Sequence, residues 1–205
     1  MEHPDIKERN QFDLDHGVNT ASGLARLAYR PIANLQQGHA YQPSWTSTVH
    51  RSFQETRKFL GKKFTEYSFV DVGCGKGKVN IIWQQELIKN GIQQRNVGVD
   101  YYEPLVTIAR NNFKTVFGNP GEFYVGDAAT HDFRFYGEKL IIYMFNPFST
   151  MVMLPFLRNL KMWPTLLVYN VPSCHQIVTT NKFKVINDLT GPNQNQNITI
   201  YSNHH

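Results

Sequence analysis

Short apolar runs alternate with longer amphipathic stretches through most of the chain after residue 43. The apolar runs predict strands at 68–72, 96–100, 122–127, 139–145 and 165–170. The amphipathic stretches predict helices at 43–61, 78–91, 103–118 and 150–161, and Pro155 should start or kink the last of them. This alternation predicts a parallel sheet with helices on both faces.

The two ends of the chain depart from this alternation. Segments 183–189 and 197–202 alternate apolar and polar residues on either side of a Gly-Pro turn, which predicts a final antiparallel hairpin. The beginning of the chain is polar and broken by glycine and proline, and only 21–29 predicts a short helix there. We therefore expect an α/β fold with a mostly parallel sheet at 41–205 and a short N-terminal extension at 1–40.

The composition suits one domain with an addition, and it suggests no particular partner. The chain has 205 residues, and 21 Lys and Arg against 16 Asp and Glu give a formal net charge of +5. No run of like charges or basic stripe predicts a nucleic-acid site. No apolar stretch approaches the ~20 residues that span a bilayer, and the charged start does not resemble a secretory signal. With two cysteines in unrelated contexts, we expect no metal site and a reducing, cytoplasmic location.

Polar residues and glycines directly follow four of the predicted strands. They lie at 71–77, 100–102, 127–129 and 146–148. In a parallel sheet the carboxyl ends of the strands share one edge, and ligands bind there. We therefore expect these four segments to form one site.

The first of these segments is a glycine loop, DVGCGKG, whose spacing fails two common phosphate-binding motifs. A phosphate-binding loop would need glycine at Val72 and Ser or Thr at Val79. A dinucleotide-binding loop would need its third glycine at Lys78. A tight strand-to-helix turn without a ligand is the remaining alternative. Lys76 and Lys78 are expected at the surface or at the start of a helix, and Lys76 could lie near a ligand.

Three acids, Asp71, Asp100 and Asp127, end or follow three successive predicted strands. Like charges gathered at one edge would repel a polyanion, so they suit a neutral or cationic ligand with hydroxyl and amine donors. A carboxylate such as Asp100 can accept two hydrogen bonds from a ribose diol, which contribute about 1.5–3 kcal/mol each. The glycines let the backbone approach such a ligand closely.

Taken together, these motifs resemble the class I, seven-stranded S-adenosylmethionine-dependent methyltransferases. The resemblance is carried by DVGCGKG, by VDY at the end of the second strand, by GDA after the third and by NPF after the fourth. It runs from about residue 41 to the final hairpin. It implies a Rossmann-like three-layer sandwich with a seven-stranded sheet, and an enzyme whose cofactor is S-adenosylmethionine.

The resemblance also implies a role for each residue of the site. The glycine loop would pass under the methionine portion, Asp100 would hold the ribose, and Asp127 would hold the adenine amine. Asp71 would support the loop or contact the methionine ammonium. Tyr101 would touch the adenine face, unless it is a surface aromatic. The expected cofactor-binding residues are Asp71, Gly73, Cys74, Gly75, Gly77, Asp100, Tyr101, Asp127, Ala128 and Asn146.

The NPF segment, Asn146, Pro147 and Phe148, resembles the N/D-P-P-Y/F motif of amino-methyltransferases that act on adenine, cytosine or glutamine. In those enzymes the asparagine side chain and the carbonyl before or at the proline hold the amine, and the aromatic ring stacks on its plane. The match is partial, because this chain has one proline where the motif has two. The alternative is that Pro147 simply ends the strand.

A second resemblance concerns the layout before the glycine loop. A short extension, the segment Tyr41-Gln42-Pro43-Ser44, a helix and then the glycine loop are similar to small protein-lysine methyltransferases and to uncharacterised bacterial relatives. This implies that Tyr41 and Trp45 lie over the methyl donor, where an aromatic face attracts the sulfonium. The alternative is that both are core aromatics.

The residues after the fifth strand are expected to complete the acceptor wall, with Tyr169, Asn170 and Pro172 forming it. His175 is the nearby histidine that could act as a base, although a lone histidine after a strand is more often structural. The expected catalytic residues are Tyr41, Asn146, Pro147 and Phe148.

These motifs predict methyl transfer to an amine of a protein, most simply a lysine. One alternative is a methyltransferase that acts on a small molecule or a nucleobase. Another is a regulatory module that binds the cofactor without turnover, and the intact NPF segment argues against it. The sequence leaves the acceptor, the number of methyl groups and the oligomeric state open.

Overall fold

A computed structural model describes residues 4–21 and 37–204 of the chain. Apart from its first residue, the short helix expected at 21–29 lies outside the described residues. None of the described helices has both the length and the apolar character that a membrane crossing requires. Within the same residues, His, Cys, Asp and Glu side chains form no group of three or more that could hold a metal ion.

In the described part of the chain, seven strands form one mixed sheet. They are β1 (Ser68–Val72), β2 (Asn96–Asp100), β3 (Glu122–Val125), β4 (Leu140–Phe145), β5 (Thr165–Asn170), β6 (Lys184–Leu189) and β7 (Ile198–Ser202). Their order across the sheet is β3-β2-β1-β4-β5-β7-β6. Strands β1 to β5 pair in parallel, and β7 runs antiparallel between β5 and β6. The expected parallel sheet with a C-terminal antiparallel hairpin is confirmed.

Helices cover both faces of this sheet and give the fold three layers. They are α1 (Pro4–His16), α2 (Thr46–Leu60), α3 (Lys78–Lys89), α4 (Glu103–Phe117), α5 (Thr150–Leu160) and α6 (His175–Thr180). Helices α1 to α4 pack on one face, in a cluster that includes Trp83 stacked on Phe69. Helices α5 and α6 pack on the other face, in a cluster that includes Phe156. Pro155 lies inside α5 rather than at its start.

Helix α1 is an element that the sequence analysis does not predict. Its contact with the core is narrow, because Phe12 is buried while most of its described neighbours are exposed. The Phe12 ring stacks on His16, with 4.3 Å between the ring centres. The sequence of α1, PDIKERNQFDLDH, has apolar residues only at Ile6, Phe12 and Leu14, which are too few to give a helical period.

The surface position expected for Lys76 and Lys78 is wrong, since each side chain is 2% exposed. Lys78 does begin helix α3, as expected. Its Nζ lies 4.8 Å from the centre of the Phe12 ring, and Lys76 Nζ lies 5.5 Å from the centre of the Tyr41 ring. Aromatic rings from the N-terminal part of the chain therefore cover both lysines. The hydrophobic pattern around the loop does not predict these contacts.

Candidate active site

One pocket opens at the carboxyl edge of the sheet, where the four expected segments meet. Residues 38–44, which we call the strap, form a further wall of it. Of the residues expected in the site, those that line this pocket are Tyr41, Asp71, Gly73, Cys74, Asp100, Tyr101, Asp127, Ala128, Asn146, Pro147 and Phe148. Gly75 and Gly77 belong to the same loop but do not line it.

The glycine loop is anchored on strand β2 and packs against the NPF segment. Gly73 N and Cys74 N donate to Val99 O, at 2.8 and 3.1 Å. Gly73 has φ 78°, and a Cβ at this position would lie 2.6 Å from Cβ of Pro147. Only a glycine therefore allows this contact, which joins the expected cofactor side of the pocket to its expected acceptor side.

The ring of Tyr41 lies directly against Gly75. Gly75 has φ 53°, and a Cβ built there would overlap the Cδ2 and Cε2 atoms of the ring. The Tyr41 hydroxyl donates to Thr20 O at 2.7 Å. Burial, followed by the nearby carboxylate of Asp13, raises the pKa of Tyr41 well above its usual value, so the phenol stays neutral and remains a donor. Tyr41 is a wall of the pocket, and its position over a methyl donor stays a prediction.

Asp100 ends strand β2 and is 5% exposed. Its Oδ2 accepts from Gly75 N and its Oδ1 accepts from Tyr102 N, each at 2.9 Å. Burial raises the pKa of Asp100 to about 6, although the backbone N–H groups oppose the rise. Because each carboxylate oxygen can accept more than one hydrogen bond, Asp100 can also accept from the hydroxyl groups of a ligand.

Asp71, in strand β1, carries a buried oxygen without a donor. The side chain is 2% exposed, and its Oδ2 has no hydrogen-bond partner among the described residues. Burial, and then the charge of Asp100, raises the pKa of Asp71 well above its usual value. A buried carboxylate oxygen without a donor is costly, so an ammonium group in the pocket would offset that cost. The methionine portion of S-adenosylmethionine carries such a group, and the residues present fit it.

Asp127 and Tyr101 form the wall on the side of strand β3. The Oδ1 atom of Asp127 accepts from Ala129 N at 2.9 Å, which fixes the carboxylate in the turn after that strand. The hydroxyl oxygen of Tyr101 lies 2.9 Å from the position that a Cβ on Gly38 would take. Tyr101 therefore contacts the strap as well as the pocket, and its expected contact with an adenine stays a prediction.

Asn146 follows strand β4 with φ 37°, and its side chain is held on three sides. Its Oδ1 accepts from the Tyr169 hydroxyl at 3.1 Å and from Ser173 Oγ at 2.5 Å, and its Nδ2 lies 3.3 Å from His39 Nδ1. Val171, after strand β5, also lines the pocket and has φ 54°. A β-branched residue at positive φ is strained, and such strain concentrates at functional sites.

The strap pairs with the NPF segment, which the sequence analysis does not anticipate. Gly38 forms an antiparallel bridge with Phe148, and His39 N donates to Pro147 O at 2.9 Å. Both Gly38 and His39 line the pocket. The sequence hardly predicts Gly38 and His39 as pocket residues, because Gly38 only interrupts the polar N-terminal segment shortly before Tyr41.

Phe148, expected as a stacking aromatic, lines the pocket but also packs into the core. It is 6% exposed, and its ring meets Phe156 edge-on, with 5.5 Å between the ring centres. Its ring is therefore shared between the pocket and the second hydrophobic cluster. A stacking role for Phe148 stays a prediction.

The residues expected as the acceptor wall lie beside the pocket lining and support it. Tyr169 is fully buried and binds Asn146. Asn170 is also fully buried, and its side chain donates to Asn195 O at 3.1 Å. The residues that do line this part of the pocket are Val171 and Asn195, whereas Tyr169, Asn170 and Pro172 do not.

Two further expected residues lie away from the lining. His175 does not line the pocket, and its Nδ1 lies 2.9 Å from the hydroxyl of Tyr201. That contact suits the structural alternative, and a role as a base stays untested. Trp45 is 3% exposed and directly precedes helix α2, and it does not line the pocket either.

No protein-family model matches this chain, and no curated protein matches it. Solved structures do share its fold. A magnesium protoporphyrin IX methyltransferase from Synechocystis PCC 6803 with bound S-adenosylmethionine is 16% identical, with a TM-score of 0.54 over 80% of this chain and 85% of that chain.

Two further methyltransferases show the same similarity. A ribosomal protein L11 methylase from Lactobacillus delbrueckii subsp. bulgaricus is 12% identical, with a TM-score of 0.52 over 85% of this chain and 89% of that chain. An RNA methyltransferase from Salinibacter ruber in complex with S-adenosyl-L-homocysteine is 16% identical, with a TM-score of 0.51 over 78% of this chain and 92% of that chain. The chain has the Rossmann-like fold of the S-adenosylmethionine-dependent methyltransferases.

Proposed function

We propose that this protein is an S-adenosylmethionine-dependent methyltransferase whose acceptor is an amine nitrogen of a protein, most simply a lysine side chain. Residues 41–205 would form the methyltransferase domain. The observation that carries the cofactor assignment is the donor-less Oδ2 of Asp71, buried in the same pocket as Asp100. A ligand with an ammonium group and a ribose diol satisfies both carboxylates.

When bound, S-adenosylmethionine supplies a methyl group on a sulfonium, which is already activated for in-line displacement. The protein then has to bind the cofactor, orient the nucleophile of the acceptor and exclude water. Asp100 accepts from the ribose diol, Asp71 pairs with the ammonium, and Asp127 accepts from the adenine amine. Tyr41 closes the pocket beside Gly75.

The part of the pocket around Asn146 suits an uncharged amine. The side chains that hydrogen-bond Asn146 are those of His39, Tyr169 and Ser173, and none of them carries a carboxylate. A lysine has a pKa near ~10.4 in water and must lose its proton before it can attack. Desolvation without a fixed carboxylate lowers the pKa of an amine, so this environment favours the nucleophilic form.

Two contacts of the NPF segment favour this acceptor over a nucleobase. The carbonyl of Pro147 accepts from His39 N, which takes up one of the two lone pairs that a base amine could use. The ring of Phe148, which would stack on the base, packs against Phe156. The similar solved enzymes are named for a porphyrin, a ribosomal protein and an RNA, so the shared fold does not by itself select an acceptor.

The test is methyl transfer from tritiated S-adenosylmethionine into lysate of cells that lack the gene. Protein, nucleic acid and small molecules are separated after incubation, and labelled protein is hydrolysed to identify the methylated residue. Label recovered as methyl-lysine supports the proposal. The Asp100→Ala variant, which should bind the cofactor at least about tenfold more weakly, gives the background.

The other outcomes separate the alternatives. Label in nucleic acid or in small molecules would overturn the protein acceptor while leaving the methyltransferase assignment in place. Calorimetry that shows cofactor binding, together with no labelled product in any fraction, would identify a regulatory module without turnover.

A further inference from the structure

The turn after helix α1 reaches the pocket through Tyr41, a residue of the strap. We propose that Asp13 and Thr20 are positioning residues for cofactor binding, and that they act by holding the ring of Tyr41 against the glycine loop. The inference rests on the proposed function, because the positioning affects catalysis only if the pocket binds the cofactor.

The first link is the carboxylate of Asp13, which organises the turn after α1. It accepts from Thr20 N at 2.8 Å, from Thr20 Oγ1 at 2.6 Å and from Ala21 N at 2.7 Å. Hydrogen bonds to a charged acceptor are about twice as strong as neutral ones. Thr20 is fully buried, so its backbone carbonyl is held in one place.

The second link joins this carbonyl to Tyr41. The Tyr41 hydroxyl donates to Thr20 O at 2.7 Å, across 21 positions of the chain. The phenol is the donor in this bond, so its proton must stay in place. Burial keeps it there by raising the pKa of Tyr41 well above its usual value.

The third link joins Tyr41 to the acid expected to hold the ribose. The Tyr41 ring lies in contact with Gly75, and Gly75 N donates to Asp100 Oδ2 at 2.9 Å. A shift of the ring would free the glycine loop on that side. The contacts therefore run from Asp13 through Thr20, Tyr41 and Gly75 to Asp100.

Asn19 lies in the same turn after α1, and it binds this turn to the glycine loop and to helix α4. Its Oδ1 accepts from Lys76 Nζ at 3.1 Å, and its backbone carbonyl accepts from Asn112 Nδ2 at 3.2 Å. Asn112 Nδ2 also donates to Lys76 O at 3.0 Å. The turn is thus hydrogen-bonded both to the glycine loop and to helix α4. These bonds fix the position of Thr20, whose carbonyl binds Tyr41.

The test compares Asp13→Asn with Asp15→Asn, a matched change at an exposed carboxylate of the same helix. Calorimetry with S-adenosylmethionine should show about tenfold weaker binding for Asp13→Asn and unchanged binding for Asp15→Asn. Tyr41→Phe should lose a similar factor. The double variant Asp13→Asn/Tyr41→Phe should bind no more weakly than Tyr41→Phe alone, because both changes break the same path. Independent, multiplied losses would overturn the proposal.

Two further measurements keep the test decisive. If Asp13→Asn does not fold, Thr20→Val removes only the hydroxyl bond, and it should weaken binding about threefold; no loss would overturn the proposal. Hydrogen exchange of the Gly75 amide needs no ligand, and it should be faster in Asp13→Asn than in Asp15→Asn. Wild-type protein that binds no cofactor would refute the proposed function, whereas equal exchange rates in the two variants would refute the positioning role.

Discussion

The backbone N–H of Gly75 donates to the carboxylate of Asp100, with 2.9 Å between N and Oδ2. The glycine loop after β1 and the acid at the end of β2 are therefore one hydrogen-bonded unit, although 25 positions separate them in the chain. The same carboxylate accepts from Tyr102 N. Asp100 is thus held from two sides by backbone donors that no side-chain substitution removes.

Asp100→Ala should weaken binding of S-adenosylmethionine at least about tenfold, because each hydrogen bond to a charged acceptor contributes about 1.5–3 kcal/mol. Isothermal titration calorimetry measures the change. Asp132→Ala removes an exposed carboxylate that does not line the pocket, and it should leave the affinity unchanged. Equal affinities for the two variants would overturn the cofactor assignment.

Cofactor affinity should fall as the pH drops below about 6. Burial raises the pKa of Asp100 to about 6, so below that pH the carboxyl group is protonated in the free protein and must lose its proton when it accepts the ribose hydroxyls. Because one proton is released on binding, Kd rises up to about tenfold for each pH unit below this pKa. Calorimetry from about pH 5 to about pH 8 measures this dependence, and a constant Kd would contradict the role of Asp100.

Asp71→Asn should stabilise the free protein while weakening cofactor binding. The pKa of Asp71 is raised in the folded state, so the folded protein binds this proton more tightly than the unfolded chain does. Stability therefore falls as the pH rises from the unfolded pKa to the folded one. At pH values above both, the neutral amide should increase the free energy of unfolding.

Denaturant titration and calorimetry on the same Asp71→Asn samples measure both effects. Glu138→Gln, which neutralises an exposed carboxylate before β4, should change neither quantity. Cofactor binding at the wild-type level would show that the carboxylate does not serve the ligand, and a loss of stability in Asp71→Asn would contradict the cost assigned to its burial.

Gly75→Ala should destabilise the protein more than Gly91→Ala does. Both glycines have positive φ, 53° and 61°, so each alanine takes on left-handed backbone strain of about 1–2 kcal/mol. A Cβ on Gly91 meets nothing within 4 Å, whereas one on Gly75 overlaps the Tyr41 ring. Thermal unfolding and cofactor titration should therefore separate the two variants, and equal losses would mean that Tyr41 moves away without cost.

Tyr169→Phe should lower turnover and leave cofactor affinity unchanged. It removes the hydroxyl that donates to Asn146 Oδ1, while the ring continues to fill the core. Tyr201→Phe is the matched control, because this tyrosine is buried in the same cluster and its hydroxyl contacts His175 instead. The measurement is the rate of methyl transfer by the two variants, which should fall in Tyr169→Phe and stay unchanged in Tyr201→Phe. Lost turnover in Tyr201→Phe would point to His175 as a participant.

The hydrophobic pattern determines most of the sheet. Strands β1, β2 and β5 lie at the residues that the apolar runs predict, because a strand covered by helices on both faces is apolar along its whole length. The same reasoning brings Asp71, Asp100 and Asp127 to one pocket, since the carboxyl ends of neighbouring parallel strands share an edge. The fold class and the meeting of these three acids in one pocket can therefore be predicted from the sequence.

The tertiary structure alone decides what covers that edge. The pairing of Gly38 with Phe148 and the burial of Lys76 beneath Tyr41 join residues that lie far apart along the chain. Within residues 10–16 of helix α1, Phe12 is buried and Leu14 is exposed, so this part of the helix shows no apolar period. Periodicity reports which face of an element is buried, because neighbouring residues share that environment. It carries no information about which distant segment supplies the cover, since that depends on contacts formed only after the chain has folded.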